Sequence, residues 1–196
     1  MHLGGDAAGQ TPLEPDEAEQ LIPSWISTRG DLDSAEQENI AQAAEWTLRA
    51  ELSTSEILVE GFLHQLHRRM FGEVWRWAGS YRTSARNIGV EAWLIADEVG
   101  VLLADVRYWV EHETYPNDEL AVRFHHRLVA IHAFPNGNGR HARLAADLLI
   151  QSFGAPAFSW GIDRDEDPER LRNEYIAAIF SADAGEIEPL LEFARS

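Results

Sequence analysis

Apolar residues recur at intervals of three and four along most of this chain, the spacing that places them on one face of an α-helix. Ile40, Ala44 and Leu48 fall on one stripe, in a helix expected over about 34–50, and Leu58, Phe62, Leu66 and Met70 repeat every four residues. The rhythm returns through Val99, Leu102, Val106 and Val110, through Leu120, Phe124, Leu128 and Ile131, and through Leu144, Leu148 and Leu149. Two shorter helices are expected over 168–180 and 187–193. Between Ser80 and Leu94 the pattern breaks, and Tyr81, Thr83 and Ile88-Gly89-Val90 predict short extended pieces joined as a hairpin.

Residues 1–22 are rich in Gly, Pro, Ala and acids, and read as a mobile arm with a short helix around Asp16 to Leu21. Residues 23–196 then form a single domain, since 196 residues support one hydrophobic core and hardly a second. No internal repeat or sustained heptad is present, so the expected fold class is all-α, a compact helical bundle with one β-hairpin.

Charge narrows the partners. Thirty-three Asp and Glu against 16 Lys and Arg give a formal charge of −17, a surface that repels nucleic acid and anionic membrane. A phosphate ligand would therefore need a local cluster of donors. Cysteine is absent, which excludes disulfides and thiolate metal sites. The N-terminal residues lack a basic start followed by an apolar run, and no stretch reaches 18 apolar residues, so a cytoplasmic location is expected by default.

The informative stretch is Ile131-His132-Ala133-Phe134-Pro135-Asn136-Gly137-Asn138-Gly139-Arg140-His141-Ala142-Arg143, between two apolar helices. Pro135 ends the first helix, and Gly137 and Gly139 allow backbone conformations that other residues resist. Such a turn aims several N–H groups at one point, and with the positive end of the next helix it makes an anion site. Arg140 and Arg143, three apart, share a face of the first helical turn, which suits a polyphosphate. His132, with a reference pKa of about 6.5, suits a general base.

The string His-x-Phe-x-x-Gly-Asn-Gly-Arg-x-x-Arg, from His132 to Arg143, resembles the signature of the Fic (Fic/Doc) family of protein adenylyltransferases. Phe71 to Arg82 is similar to the segment leading into that family's flap hairpin. Tyr175 and the 182–186 stretch resemble the region that closes over adenine. The likeness spans roughly residues 34–194, and the arrangement also resembles a bacterial branch called mobile mystery protein B. The resemblance implies a nucleotidyltransferase that uses ATP and Mg²⁺ to move AMP onto a Ser, Thr or Tyr hydroxyl of a target protein. His132 would be the base, the Gly137, Asn138 and Gly139 amides would hold phosphates, and Arg140 and Arg143 would neutralise the β and γ groups. Asn87, Ile88, Gly89 and Val90 would form the flap that orders the target segment. The oligomeric state is left open, a homodimer included.

Three positions depart from the family pattern. Asn136 stands where Asp or Glu coordinates Mg²⁺, Ala133 where Pro is usual, and Asp183 where Asn is expected beside the base. Asn136 therefore leaves a second reading, a nucleotide-binding regulator with weak or no turnover, and Asp183 leaves room for another nucleotide. Gly139, where Lys marks kinase-like Doc variants, favours nucleotide transfer. Ser34-Ala35-Glu36-Gln37-Glu38-Asn39 also matches the family's Ser/Thr-x-x-x-Glu-Gly/Asn inhibitory helix. The resemblance implies that Ser34, Glu38 and Asn39 belong to that device, with Glu38 pairing with Arg143 and blocking the γ-phosphate site. Ser34 with Gln37 also has the spacing of an ordinary capping box.

His125, His126 and His141 are expected to be structural or solvent-facing, because adjacent histidines on a helix point apart. Trp75 and Trp77 are expected in the core or at the flap's base. The acidic runs 163–167 and 111–113 are read as solvated charges.

Overall fold

A computed structural model describes residues 19–26, 28–162, 164 and 167–196. Among these, eight α-helices follow one another: α1 (Arg29–Ala50), α2 (Thr54–Ile57), α3 (Glu60–Phe71), α4 (Ile95–Glu111), α5 (Asn117–Ile131), α6 (Asn138–Ser152), α7 (Pro168–Asp183) and α8 (Glu188–Arg195). A 3₁₀ turn over Ala92–Leu94 leads into α4.

The hairpin α5–α6, joined by residues 132–137, is the centre of the bundle. α4 and α8 pack on α5, α2 and α3 pack on α6, α1 covers α3, and α7 pairs with α8. The stripes expected from the sequence supply the core: Leu58, Leu66 and Met70, Val99 and Leu102, Leu120, Phe124 and Ile131 are all at most 2 % exposed. Burial of one such side chain contributes about 1.5–3 kcal/mol. Asp118 and Arg195 lock the start of α5 to the end of α8 through two bonds of 2.6 and 2.8 Å.

α1 departs from expectation in both start and face. Its cap is Thr28, whose hydroxyl accepts from Asp31 N (3.1 Å) while the Asp31 carboxylate accepts from Thr28 N (2.8 Å). The helix thus starts ahead of Ser34. Its buried stripe is Leu32, Glu36, Asn39, Ala43 and Thr47, whereas Leu48 is 73 % exposed. Three polar members in that stripe hide its amphipathic character from a hydrophobicity reading.

The expected hairpin over residues 80–94 is also corrected, since no strand occurs among the described residues. Arg82 takes over the role of a partner strand. Its guanidinium donates to the carbonyls of His132 (2.7 Å), Ser84 (2.9 Å) and Val90, and its own N–H donates to Ala133 O (3.0 Å). The Val90 N–H donates to Ile131 O (3.2 Å), so the segment is hung from the α5–α6 loop rather than folded on itself.

Of the expected helix around Asp16 to Leu21, residues 16–18 lie outside the described residues and 19–21 are not helical. Ile22 N donates to Val74 O (2.8 Å) and Arg76 N to Gln20 O (2.9 Å), one antiparallel bridge at Leu21 and Trp75. Most of the acidic run at 163–167 is likewise outside the described residues. No described helix is long and apolar enough to cross a membrane.

Candidate active site

His132 caps the C-terminus of α5 in a left-handed conformation, φ 55° and ψ 56°. The chain turns there, and Asn138 closes the turn behind it. Asn138 Oδ1 accepts from Phe134 N (2.9 Å) and Asn138 Nδ2 donates to Phe134 O (2.8 Å), so this buried side chain is a buckle. Gly137 has φ 77°, and a Cβ there would sit 2.4 Å from the Phe71 ring, so only glycine fits. Gly139 differs: a Cβ would meet only Tyr175 Oη, at 3.8 Å, so its backbone is left open to an adjoining cavity.

That cavity, of about 890 Å³, lies over the first turn of α6, a size suited to a nucleotide. The first N–H groups of α6 have no acceptor within the helix, and its dipole favours an anion there. Arg140 and Arg143 both line the space. The Arg143 guanidinium lies 5.2 Å over the Tyr175 ring, and Tyr175 Oη meets His125 Nε2 at 3.0 Å. Beyond α6, Phe158, Trp160, Ile162, Leu171 and Ile176 line an apolar slot of the same cavity. Asp147 pins that slot by accepting from Trp160 Nε1 (2.9 Å) and Phe158 N (3.2 Å). Burial pushes its carboxyl up to about 6 against the pull of those two bonds.

Glu36 enters the same cavity from α1. Its Oε2 lies 2.6 Å from Arg140 Nη1, and its Oε1 accepts from Trp75 Nε1 at 2.7 Å. Glu36 is 4 % exposed, while Glu38 lies on the exposed face of α1. The carboxylate that meets an arginine is therefore Glu36, and the arginine is Arg140. Two residues along a helix turn a side chain by about 200°, so Glu38 is directed away. Ser34 is exposed as well. Asn39 is buried but braces the fold, donating to Arg69 O and accepting from Glu73 N, both at 2.9 Å.

His132 lies beneath the 82–90 segment, where a Cβ on Gly89 would come within 2.5 Å of His132 Cβ. Desolvation lowers its pKa to about 4, with Arg82 and Arg86 adding to the shift, so the imidazole is neutral at pH 7 and able to accept a proton. Of the flap residues, Gly89 and Val90 touch the His132 loop, while Asn87 and Ile88 are exposed. Asp183 does not reach the cavity; its carboxylate bonds His126 Nε2 at 2.7 Å.

The residues do not make a metal site by themselves. The Asn136 amide oxygen accepts from Gly137 N at 2.7 Å, so it is folded back on its own loop. Among the described residues no group of three or more His, Cys, Asp or Glu side chains is gathered for a metal ion. Sequence reasoning missed Glu36, Arg82, Asp147 and the apolar slot; only the Phe158–Trp160 aromatic pair offered a signal for the last.

Comparison with known proteins finds relatives by sequence and by fold. Residues 57–150 match the model of the Fic/DOC family. The chain is 32% identical over 142 residues to protein adenylyltransferase fic-1 of Caenorhabditis briggsae, covering 70% of this chain and 26% of that protein. It is 30% identical, over the same shares, to its Caenorhabditis elegans counterpart. The chain thus spans about a quarter of the length of these relatives. Among solved structures, Fic-1 (residues 134–508) from C. elegans superposes with TM-score 0.64 at 26% identity, covering 91% of this chain and 51% of that one. The N-terminal Fic domain of Bep8 from Bartonella sp. 1-1C gives TM-score 0.72 at 14% identity, covering 100% of this chain and 96% of that one, a likeness of fold.

Proposed function

We propose that this chain, which belongs to the Fic/DOC family, is a protein adenylyltransferase held in an inhibited state by α1. The observation that carries the reading is the span 132–143, with a neutral imidazole at one end and a helix N-terminus flanked by two guanidiniums at the other. In this reading the apolar slot takes the base of ATP, and the α6 amides with Arg140 and Arg143 hold its phosphates. A Ser, Thr or Tyr hydroxyl of a target protein, laid along residues 87–90, gives its proton to His132. Its oxygen attacks the α-phosphorus, the bond to the β-phosphate bridging oxygen breaks, and pyrophosphate leaves. Mg²⁺ enters with the triphosphate as part of the substrate.

The brake is Glu36. While it neutralises Arg140 inside the cavity, a triphosphate must displace it to use that guanidinium. The test is transfer of labelled AMP from ATP and Mg²⁺ to proteins of a bacterial lysate by wild type, Glu36→Gly, and Glu36→Gly with His132→Ala. Label that appears with Glu36→Gly and vanishes in the double variant is the expected result; equal label in the two variants would refute the role of His132.

One observation favours a second reading, a nucleotide-binding regulator with little turnover. The loop lacks a carboxylate at Asn136 and its amide oxygen is already bonded. Restoring the charge with Asn136→Asp separates the two, since it raises transfer in a weakened enzyme and leaves a pure binder silent.

A further inference from the structure

We propose that His67 is the positioning residue that sets the phosphate loop and the root of the flap together, through one hydrogen bond to each. His67 lies on α3, is 0 % exposed, and touches neither the cavity nor His132 directly. Its Nδ1 accepts from Gly79 N at 3.0 Å, and its Nε2 lies 3.1 Å from Asn136 O. The first bond requires a bare Nδ1, so the proton sits on Nε2 and is donated to the carbonyl of the anion loop. Only the neutral Nε2–H ring satisfies both.

The neighbours leave that ring one orientation. It stacks on Phe134 with centroids 3.8 Å apart and planes 16° apart, and Phe71 and His141 pack against it at 4.8 and 5.5 Å. Phe134 is itself buckled to Asn138, so the stack fixes the loop from the side while the Nε2–H bond fixes it at Asn136. At the other end, Gly79 has φ 78° and begins the run toward Arg82. One turn earlier on α3, His64 Nδ1 meets Gly79 O at 2.7 Å, so two histidines hold this glycine by both its N–H and its C=O. A Cβ at Gly79 would lie 2.8 Å from His64 O, which keeps the approach to glycine alone.

The nucleotide half of this inference rests on the function proposed above; the structural half does not. Two substitutions divide the ring's duties. The Asn side chain places an acceptor where Nδ1 is, and the Gln side chain places a donor where Nε2 is. The measurements are amide hydrogen exchange at Gly79 and Gly137 by NMR and the affinity of the full chain for ATP by calorimetry. In His67→Gln the Gly79 amide exchanges about tenfold faster or more, with Gly137 protected and ATP affinity near that of the parent. In His67→Asn the pattern reverses, and ATP binds about tenfold more weakly or worse. Equal changes at Gly79 and Gly137 in both variants would reduce His67 to a core residue and overturn the proposal. Where a variant fails to fold, long-range ¹H–¹⁵N correlation on wild type decides: a proton on Nε2 supports the assignment and one on Nδ1 overturns it. Failure of the parent to bind ATP sinks the nucleotide reading while the exchange pattern still judges His67.

Discussion

Replacing Glu36 by Gln removes the charge that occupies Arg140 and keeps the side chain's shape and its acceptor for Trp75. The carboxylate now makes a charge-assisted contact of 2.6 Å with a guanidinium whose side chain is 35% exposed. Full Coulomb attraction near a surface would be about 4 kcal/mol at 4 Å. Partial exposure of Arg140 argues for the lower range measured for hydrogen bonds to charged groups, about 1.5–3 kcal/mol. A triphosphate that must displace Glu36 forfeits that amount, so Glu36→Gln should tighten ATP binding by roughly 10- to 150-fold. Isothermal titration calorimetry of wild type, Glu36→Gln and Glu38→Gln reads the effect, with Glu38→Gln expected to match wild type. An unchanged constant for Glu36→Gln, or the gain appearing with Glu38→Gln, would refute the assignment of the brake.

The two glycines of the loop should separate stability from binding. Gly137→Ala forces a Cβ against the Phe71 ring at positive φ and should cost about 2–4 kcal/mol in urea unfolding. Gly139→Ala, in open helical backbone, should keep or slightly raise stability yet weaken ATP by about tenfold, because its methyl occupies the phosphate approach. Thr28→Ala removes the α1 cap, should lower stability by about 1 kcal/mol, and should loosen Glu36 enough to raise ATP affinity in calorimetry. Burial lowers the pKa of His125 to about 3 and of His132 and His141 to about 4. Below about pH 6.5 the unfolded chain binds protons that these rings refuse, so each removes up to about 1.4 kcal/mol per pH unit as pH falls. Asp147, raised to about 6, opposes them, because its protonated form is favoured by folding. Burial holds His67 well below the usual imidazole value too, so four histidines against one aspartate predict a melting temperature that drops from pH 6.5 to pH 4.5, and a flat calorimetric profile over that range would refute the balance.

What the sequence made legible follows from where each residue's constraint lies. The core helices were readable because Leu66, Met70, Phe124 and Ile131 are apolar and buried, so period and burial coincide. His132, Gly137 and Arg140 were readable because their constraint is local: a capping turn and the helix it starts. The 80–94 segment misled because Tyr81, Thr83 and Ile88 have strand-like character, while its geometry is set by Arg82 bonding across to His132 O, 50 residues on. α1 misled for the converse reason. Its inward face carries Glu36, Asn39 and Thr47, whose partners Arg140, Arg69 and Ala44 satisfy them after folding. A buried carboxylate of that kind is costly unless paired, so its presence in the middle of a buried stripe points to the site it faces rather than to the helix it sits on. Reading α1 with Glu36 and Asn39 counted as inward positions extends the stripe Leu32, Glu36, Asn39, Ala43 and Thr47 over four turns. The same phase puts Glu38 about 200° from Glu36, outside reach of either arginine.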